Sequence, residues 1–211
     1  DKWGFDGYVM TDWGAMNNRV EALKAGCNLE MPGGSGATDA QIVNAVKNGT
    51  LDETVLDQSC EELLKIVFRY AENHQEGIVF DRERDHEVAR ALEEECIVLL
   101  KNEDAILPLS REKKITFIGK YAKTPRYQGG GSSHINSSKV DSALDTVRAW
   151  MDVDYAQGYD DVEDVTDEAM LAEAVAAAKS ADIAVVFAGL PDSFESEGYD
   201  RAHLRMPDCQ N

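Results

Sequence analysis

The chain has 211 residues, 40 of them acidic and 21 basic, and a formal charge of −19. That length allows one or two domains, and a hydrophobic content of 43% is enough to bury a core, which argues against a largely disordered chain. The acidity argues against nucleic acid or an anionic membrane as partner, because phosphate calls for Lys and Arg.

No apolar run approaches the roughly 20 residues of a membrane span, and no signal-peptide pattern opens the chain. Cysteines 27, 60, 96 and 209 are far apart and form no CxxC pair. A thiol-reducing, cytoplasmic setting is the simplest reading, with neither a disulfide scaffold nor a cysteine-rich zinc site. The four His residues, 74, 86, 134 and 203, share no metal-ligand spacing.

Residues 8–11, Tyr-Val-Met-Thr, read as a buried strand between turn residues. A short helix ends near residue 25 and is stopped by Gly26. Residues 27–31 read as a second strand, closed by Pro32-Gly33-Gly34. Residues 39–46 form a helix with Ile42, Val43 and Val46 on one face. A longer helix follows, capped by Asp52 or Thr54, with Val55, Leu56, Leu63, Leu64, Val67 and Phe68 in helical period. Residues 73–86 are polar and loop-like and contain the expected domain boundary.

Beyond it, helix and strand alternate. Residues 87–96 read as a helix and 97–100 as a short strand or its continuation. Strands are expected at 115–118, 153–156 and 183–188, helices at 138–150 and 167–180, and a long loop at 119–137. Such alternation implies a parallel sheet with helices on its faces.

Two stretches carry candidate chemistry. In Gly4-Phe5-Asp6-Gly7-Tyr8-Val9-Met10-Thr11-Asp12-Trp13-Gly14-Ala15, Asp12 ends an apolar strand before a glycine turn. Barrels and open α/β folds place reacting groups there. Spacing alone favours the alternative that Asp12 caps the next helix. The second stretch is Phe194-Glu195-Ser196-Glu197-Gly198-Tyr199-Asp200-Arg201, in the loop after the strand at 183–188. By composition it is equally a solvated acidic loop with an Asp–Arg pair.

The first stretch resembles the nucleophile signature of family 3 glycoside hydrolases, a group rich in β-glucosidases. There, Gly-Phe-x-Gly-x-Val precedes Ser/Thr-Asp-Trp-Gly. The second resembles that family's acid/base loop, a Glu before Gly-x-Asp-Arg, followed here by Leu204-Arg205-Met206-Pro207. Between them, residues 25–32 are similar to the family's last barrel strand, and residues 98–103 with Leu107-Pro108-Leu109 to the opening of its second domain. Gln128-Gly129-Gly130-Gly131-Ser132-Ser133 is similar to that domain's glycine-rich loop. As a phosphate cradle this loop lacks the spacing and Lys of a P-loop.

The resemblance implies an α/β fold. Residues 1–75 would be the C-terminal part of a (β/α)8 barrel, its last two βα units, with 76–86 a linker. Residues 87–211 would be an α/β sandwich domain with a mainly parallel sheet, incomplete at its C-terminus. A whole barrel takes about 250 residues, so the chain is expected to be an internal piece of a longer enzyme.

Residue by residue, Asp12 matches the catalytic nucleophile and Glu197 the general acid/base, with Glu195 as competitor. Trp13 matches an aromatic bordering the aglycone side of the site; the alternative is a plain core Trp. The implied reaction is retaining hydrolysis of a terminal β-D-glucoside or related sugar, on a small-molecule or oligosaccharide β-glycoside, with no metal or organic cofactor. Asp12 should stay ionised through hydrogen bonds. Glu197 should have a raised pKa, from desolvation and nearby negative charge. Two readings stay open beside it: a non-catalytic α/β carbohydrate-binding or structural module, and the family's β-N-acetylglucosaminidase branch.

Overall fold

A computed structural model describes residues 3–211. The chain divides into two compact units, one running through Ile97 and the other spanning Val98–Asn211. Among the described residues, no helix is long and apolar enough to cross a membrane.

In the first unit β1 (Val9–Met10) pairs in parallel with β2 (Cys27–Leu29), and α1 (Arg19–Lys24) makes the crossover. Asn18 caps α1 by accepting the Glu21 N–H. The helices α2 (Ala37–Lys47) and α3 (Glu53–Asn73) follow, and the Asp52 side chain caps α3 on Thr54. Leu23, Ile42, Ala45 and Leu51 form the core, with Val20, Val46, Val55 and Leu56 packed on it. Buried Asn28 ties strand to helix. Its Oδ1 accepts the Val9 N–H at 2.8 Å, and its Nδ2 donates to Ser59 Oγ at 3.2 Å and to Glu62 Oε2 at 2.7 Å. The Asn28 amide, and after it the Gln58 amide, pull the Glu62 carboxyl below its ordinary pKa.

In the apolar period of α3, Val55 and Leu56 pack on the core and Leu63 is half-buried, whereas Leu64, Val67 and Phe68 are exposed. Val9 and Met10, expected to be buried, are exposed as well. The last helix of the unit, α4 (Arg82–Cys96), buries no side chain. It begins inside the segment expected to be a linker, because the Asp81 carboxylate caps it on the Glu83 and Arg84 N–H groups. Residues 97–100, expected as a short strand or a continuation of the helix before it, are exposed and form no strand pairing among the described residues.

The second unit contains a parallel three-stranded sheet in the order β4-β3-β5. The middle strand β3 (Ile115–Ile118) pairs with β4 (Asp154–Ala156) and with β5 (Ile183–Val186). β3 is almost wholly buried, as a continuous apolar run in a parallel sheet should be. β5 is shorter than expected and alternates half-buried with exposed positions; among the described strands its one partner is β3.

A single turn, α5 (Lys120–Lys123), interrupts the expected long loop after β3. The helix expected at 138–150 is only α6 (Ala143–Arg148). Ser142 stops it from extending backwards: its hydroxyl caps the Asp145 N–H and donates to the Asp145 carboxylate. The Asp167 side chain caps α7 (Glu168–Ser180) on Ala169 and Met170. Ile115, Phe117, Ala122, Leu144 and Val153 make the core of this unit.

Candidate active site

Each unit carries a candidate carboxylate, Asp12 just beyond β1 in the first and Glu197 in the loop after β5 in the second. In the first, the β1–β2 ladder continues beyond the strands. The Thr11 N–H donates to the Leu29 carbonyl at 3.0 Å and the Gly14 N–H to the Met31 carbonyl at 2.9 Å. The Met31 N–H donates to the Thr11 hydroxyl oxygen at 2.9 Å. Residues 12–15 then form a turn closed by the Ala15 N–H on the Asp12 carbonyl at 3.1 Å.

The Asp12 carboxylate accepts its neighbour Trp13's N–H at 2.6 Å and is otherwise open to solvent. It does not cap a helix, since Asn18 does that for α1. The cap reading therefore fails, and an exposed carboxylate at a strand end remains. Trp13 is 70% exposed, so it is no core Trp of this unit.

In the second unit, Glu197 lies in a tight turn. Ser196 and Tyr199 exchange backbone hydrogen bonds at 3.2 Å each way, which leaves Glu197 and Gly198 at the tip. Gly198 has φ of 93°, a left-handed value that glycine takes without a Cβ penalty.

The glycine-rich loop lies directly against this turn. The Ser132 N–H donates to Glu197 Oε2 at 2.5 Å. Gly131 has φ of 91°, and a Cβ there would overlap the Glu197 side chain. A Cβ at Gly130 would crowd the Ser196 hydroxyl in the same way. The backbone can approach the turn this closely only because these positions lack side chains. The loop is closed by Gln128, whose amide donates to the Ile135 carbonyl and accepts the Ile135 N–H, both at 3.0 Å. The run of glycines therefore makes the contact surface for Glu197.

The two glutamates of the loop differ in their partners. Glu195 Oε2 lies 3.4 Å from the Arg201 guanidinium. Glu197 meets the glycine loop instead. Its pKa is held below the ordinary value by the Ser132 hydroxyl and then by the Ser132 N–H. The expected upward shift is therefore not seen. The carboxyl is exposed, so burial contributes less than these donors, which favour the ionised form.

Nearby in the same unit, Lys120 contacts Asp160 at 3.1 Å and pairs with Asp161, which also accepts the Tyr121 hydroxyl at 2.7 Å. Buried Tyr159 donates to the Phe187 carbonyl at 2.8 Å, and burial pushes its pKa up to about 12. A cavity of about 280 Å³ is lined by Tyr121, Pro125, Arg126, Ala188, Gly189 and Leu190.

Sequence reasoning gave no role to Thr11, Arg126, Ser132 or Tyr199. Ser132 and Tyr199 lay inside stretches already singled out. Arg126, two residues before the glycine loop's first residue, carried no signal of its own in the sequence.

The sequence profile of the glycosyl hydrolase family 3 C-terminal domain matches residues 97–211. The chain is 46% identical over its whole length to thermostable beta-glucosidase B of Acetivibrio thermocellus, of which it covers 28%. Over 98% of its length it is 44% identical to an exo-alpha-(1->6)-L-arabinopyranosidase of Bifidobacterium longum, again covering 28% of that protein. Among solved structures it resembles the GH3 beta-glucosidase of Bifidobacterium adolescentis, with a TM-score of 0.91 and 45% identity over 99% of this chain and 31% of that one. Beta-glucosidase 3B of Thermotoga neapolitana, solved with alpha-D-glucose, gives a TM-score of 0.80 at 29% identity over 97% of this chain and 32% of that one. The chain thus spans less than a third of the length of these relatives.

Proposed function

The chain belongs to glycosyl hydrolase family 3, and on that premise we propose that the whole protein is a retaining β-glycosidase acting on terminal β-D-glucosides or closely related pyranosides. In this reading Asp12 is the nucleophile and Glu197 the acid/base. Residues 1–75 supply the last two βα units of a barrel. The observation that carries it is Asp12 itself, an exposed carboxylate at the end of β1 on a backbone held on either side by the Thr11–Met31 and Gly14–Met31 bonds.

The chemistry runs in two halves. Asp12 attacks the anomeric carbon while Glu197 gives its proton to the departing oxygen, leaving the sugar as an ester on Asp12. Water then attacks the same carbon, Glu197 takes its proton, and the ester bond breaks. Two inversions give net retention, which calls for carboxyl groups about 5–5.5 Å apart. The Ser132 donors favour ionised Glu197, which suits the second half. Protonation for the first half follows when bound sugar excludes water from the Glu197 carboxyl. Trp13, exposed beside the nucleophile, offers a flat apolar face to the aglycone. The relatives' names include both a beta-glucosidase and an L-arabinopyranosidase, which supports a pyranoside at the non-reducing end.

The test is Asp12→Ala in the whole protein. Turnover of an aryl β-glucoside should disappear, and azide should restore part of it by forming a glycosyl azide of inverted configuration. Undiminished turnover by the variant would rule Asp12 out.

A further inference from the structure

One side chain joins the loop after β3 to the loop after β5. The Arg126 guanidinium donates through Nε to the Asp192 carboxylate at 2.7 Å and through a terminal nitrogen to the Leu190 carbonyl at 2.6 Å. The Asp192 carbonyl accepts the Tyr199 hydroxyl at 2.7 Å. Tyr199 in turn closes the turn that bears Glu197. On the other side, Arg126 shortly precedes Gly131 and Ser132, which touch the Glu197 side chain. Both supports of Glu197 therefore lead back to Arg126.

A lone solvated ion pair would do little here. The Arg126 side chain is 28% exposed, and its guanidinium grips a backbone carbonyl as well as a carboxylate. Two donors in a rigid fork fix orientation as well as distance, which an ammonium cannot do. The adjacent Gln210 amide holds the Gly189 N–H and carbonyl at 3.0 and 2.8 Å, so the start of the loop is already fixed. Arg126 extends that anchoring to residues 190 and 192.

We propose that Arg126 is a positioning residue for Glu197, seating the acid/base turn against the glycine-rich loop through Asp192 and Tyr199. This rests on the reading of Glu197 as acid/base, and the experiment separates the two. In the whole protein, kcat/KM is measured over aryl β-glucosides of graded leaving-group acidity for Glu197→Ala, Arg126→Ala, Arg126→Lys and Tyr199→Phe.

Glu197→Ala should lose about 10²–10⁴-fold on poor leaving groups and far less on activated ones. Arg126→Ala should lose about 10–100-fold on poor leaving groups, and under about threefold on activated ones, since displacing a catalytic group by an ångström costs about 100-fold. Arg126→Lys should recover only part of this, and Tyr199→Phe should shift the same way by less. Arg126→Ala added to Glu197→Ala should cost nothing more on poor leaving groups. Equal losses across leaving groups in Arg126→Ala and Tyr199→Phe, beside a steep Glu197→Ala, would overturn the positioning role alone. A flat Glu197→Ala profile would overturn both. If Arg126→Ala does not fold, Tyr199→Phe decides, because it removes one oxygen and no charge.

Discussion

Gly131→Ala isolates the contact between the glycine-rich loop and Glu197. Gly131 has φ of 91°, and an Ala forced into left-handed backbone costs about 1–2 kcal/mol. The larger effect is steric. The new Cβ would overlap the Glu197 Cβ and come within 2.6 Å of its Oε2. Carbon atoms settle at about 3.5–4.0 Å, so Glu197 must retreat by about 1 Å. A misplacement of that size costs about 100-fold in rate, or about 2.7 kcal/mol at 1.36 kcal/mol per tenfold. Gly129→Ala is the control. Its Cβ would meet only the Ser133 hydroxyl, at an ordinary 3.6 Å. In the whole protein, kcat/KM on a poor leaving group should drop about 100-fold for Gly131→Ala and stay within about threefold for Gly129→Ala, as for an ordinary surface change. Wild-type kcat/KM in Gly131→Ala, with the variant folded, would refute the reasoning.

Two further changes separate electrostatics from packing. The Ser132 hydroxyl holds the Glu197 pKa down, so Ser132→Ala should raise it. Glu197 must be protonated to act as the acid, so the alkaline limb of the kcat/KM–pH profile should move to higher pH; a move to lower pH would contradict the assignment. Leu144→Ala removes a fully buried side chain from the core beside Ile115, Phe117 and Val153. It should destabilise the second unit by about 2–5 kcal/mol, read by chemical denaturation.

The sequence revealed elements best where a local signal was strong. Asp52 and Asp167 mark the starts of α3 and α7, as their side chains cap those helices. The central strand β3 was legible as an uninterrupted apolar run. The reading failed where tertiary context decides. Residues 97–100 have strand composition and find no partner strand among the described residues. α6 starts later than expected because Ser142 caps it, a role that a Ser in a polar run does not announce.

At the site, the Thr-Asp-Trp and Glu-Gly-Tyr-Asp-Arg stretches were visible as motifs. What separates Glu195 from Glu197 is not in the motif: Arg201 pairs with Glu195, and the glycine-rich loop meets Glu197. Arg126 was invisible because its partners, Leu190 and Asp192, lie more than sixty positions away in the chain. The direction of the Glu197 pKa shift was misjudged for a related reason. Two donors from Ser132 outweigh burial there, and contacts across loops cannot be read from spacing.

The proposed mechanism requires a covalent bond from Asp12 to sugar. The most direct measurement is mass spectrometry of the whole protein after reaction with an activated 2-deoxy-2-fluoro-β-glucoside, whose fluorine slows both steps and lets the glycosyl ester accumulate. Digestion should place the added fluoroglucosyl mass on the peptide containing Thr11-Asp12-Trp13, as an ester of Asp12. An adduct on any other carboxylate would contradict the central claim, as would normal turnover without any adduct.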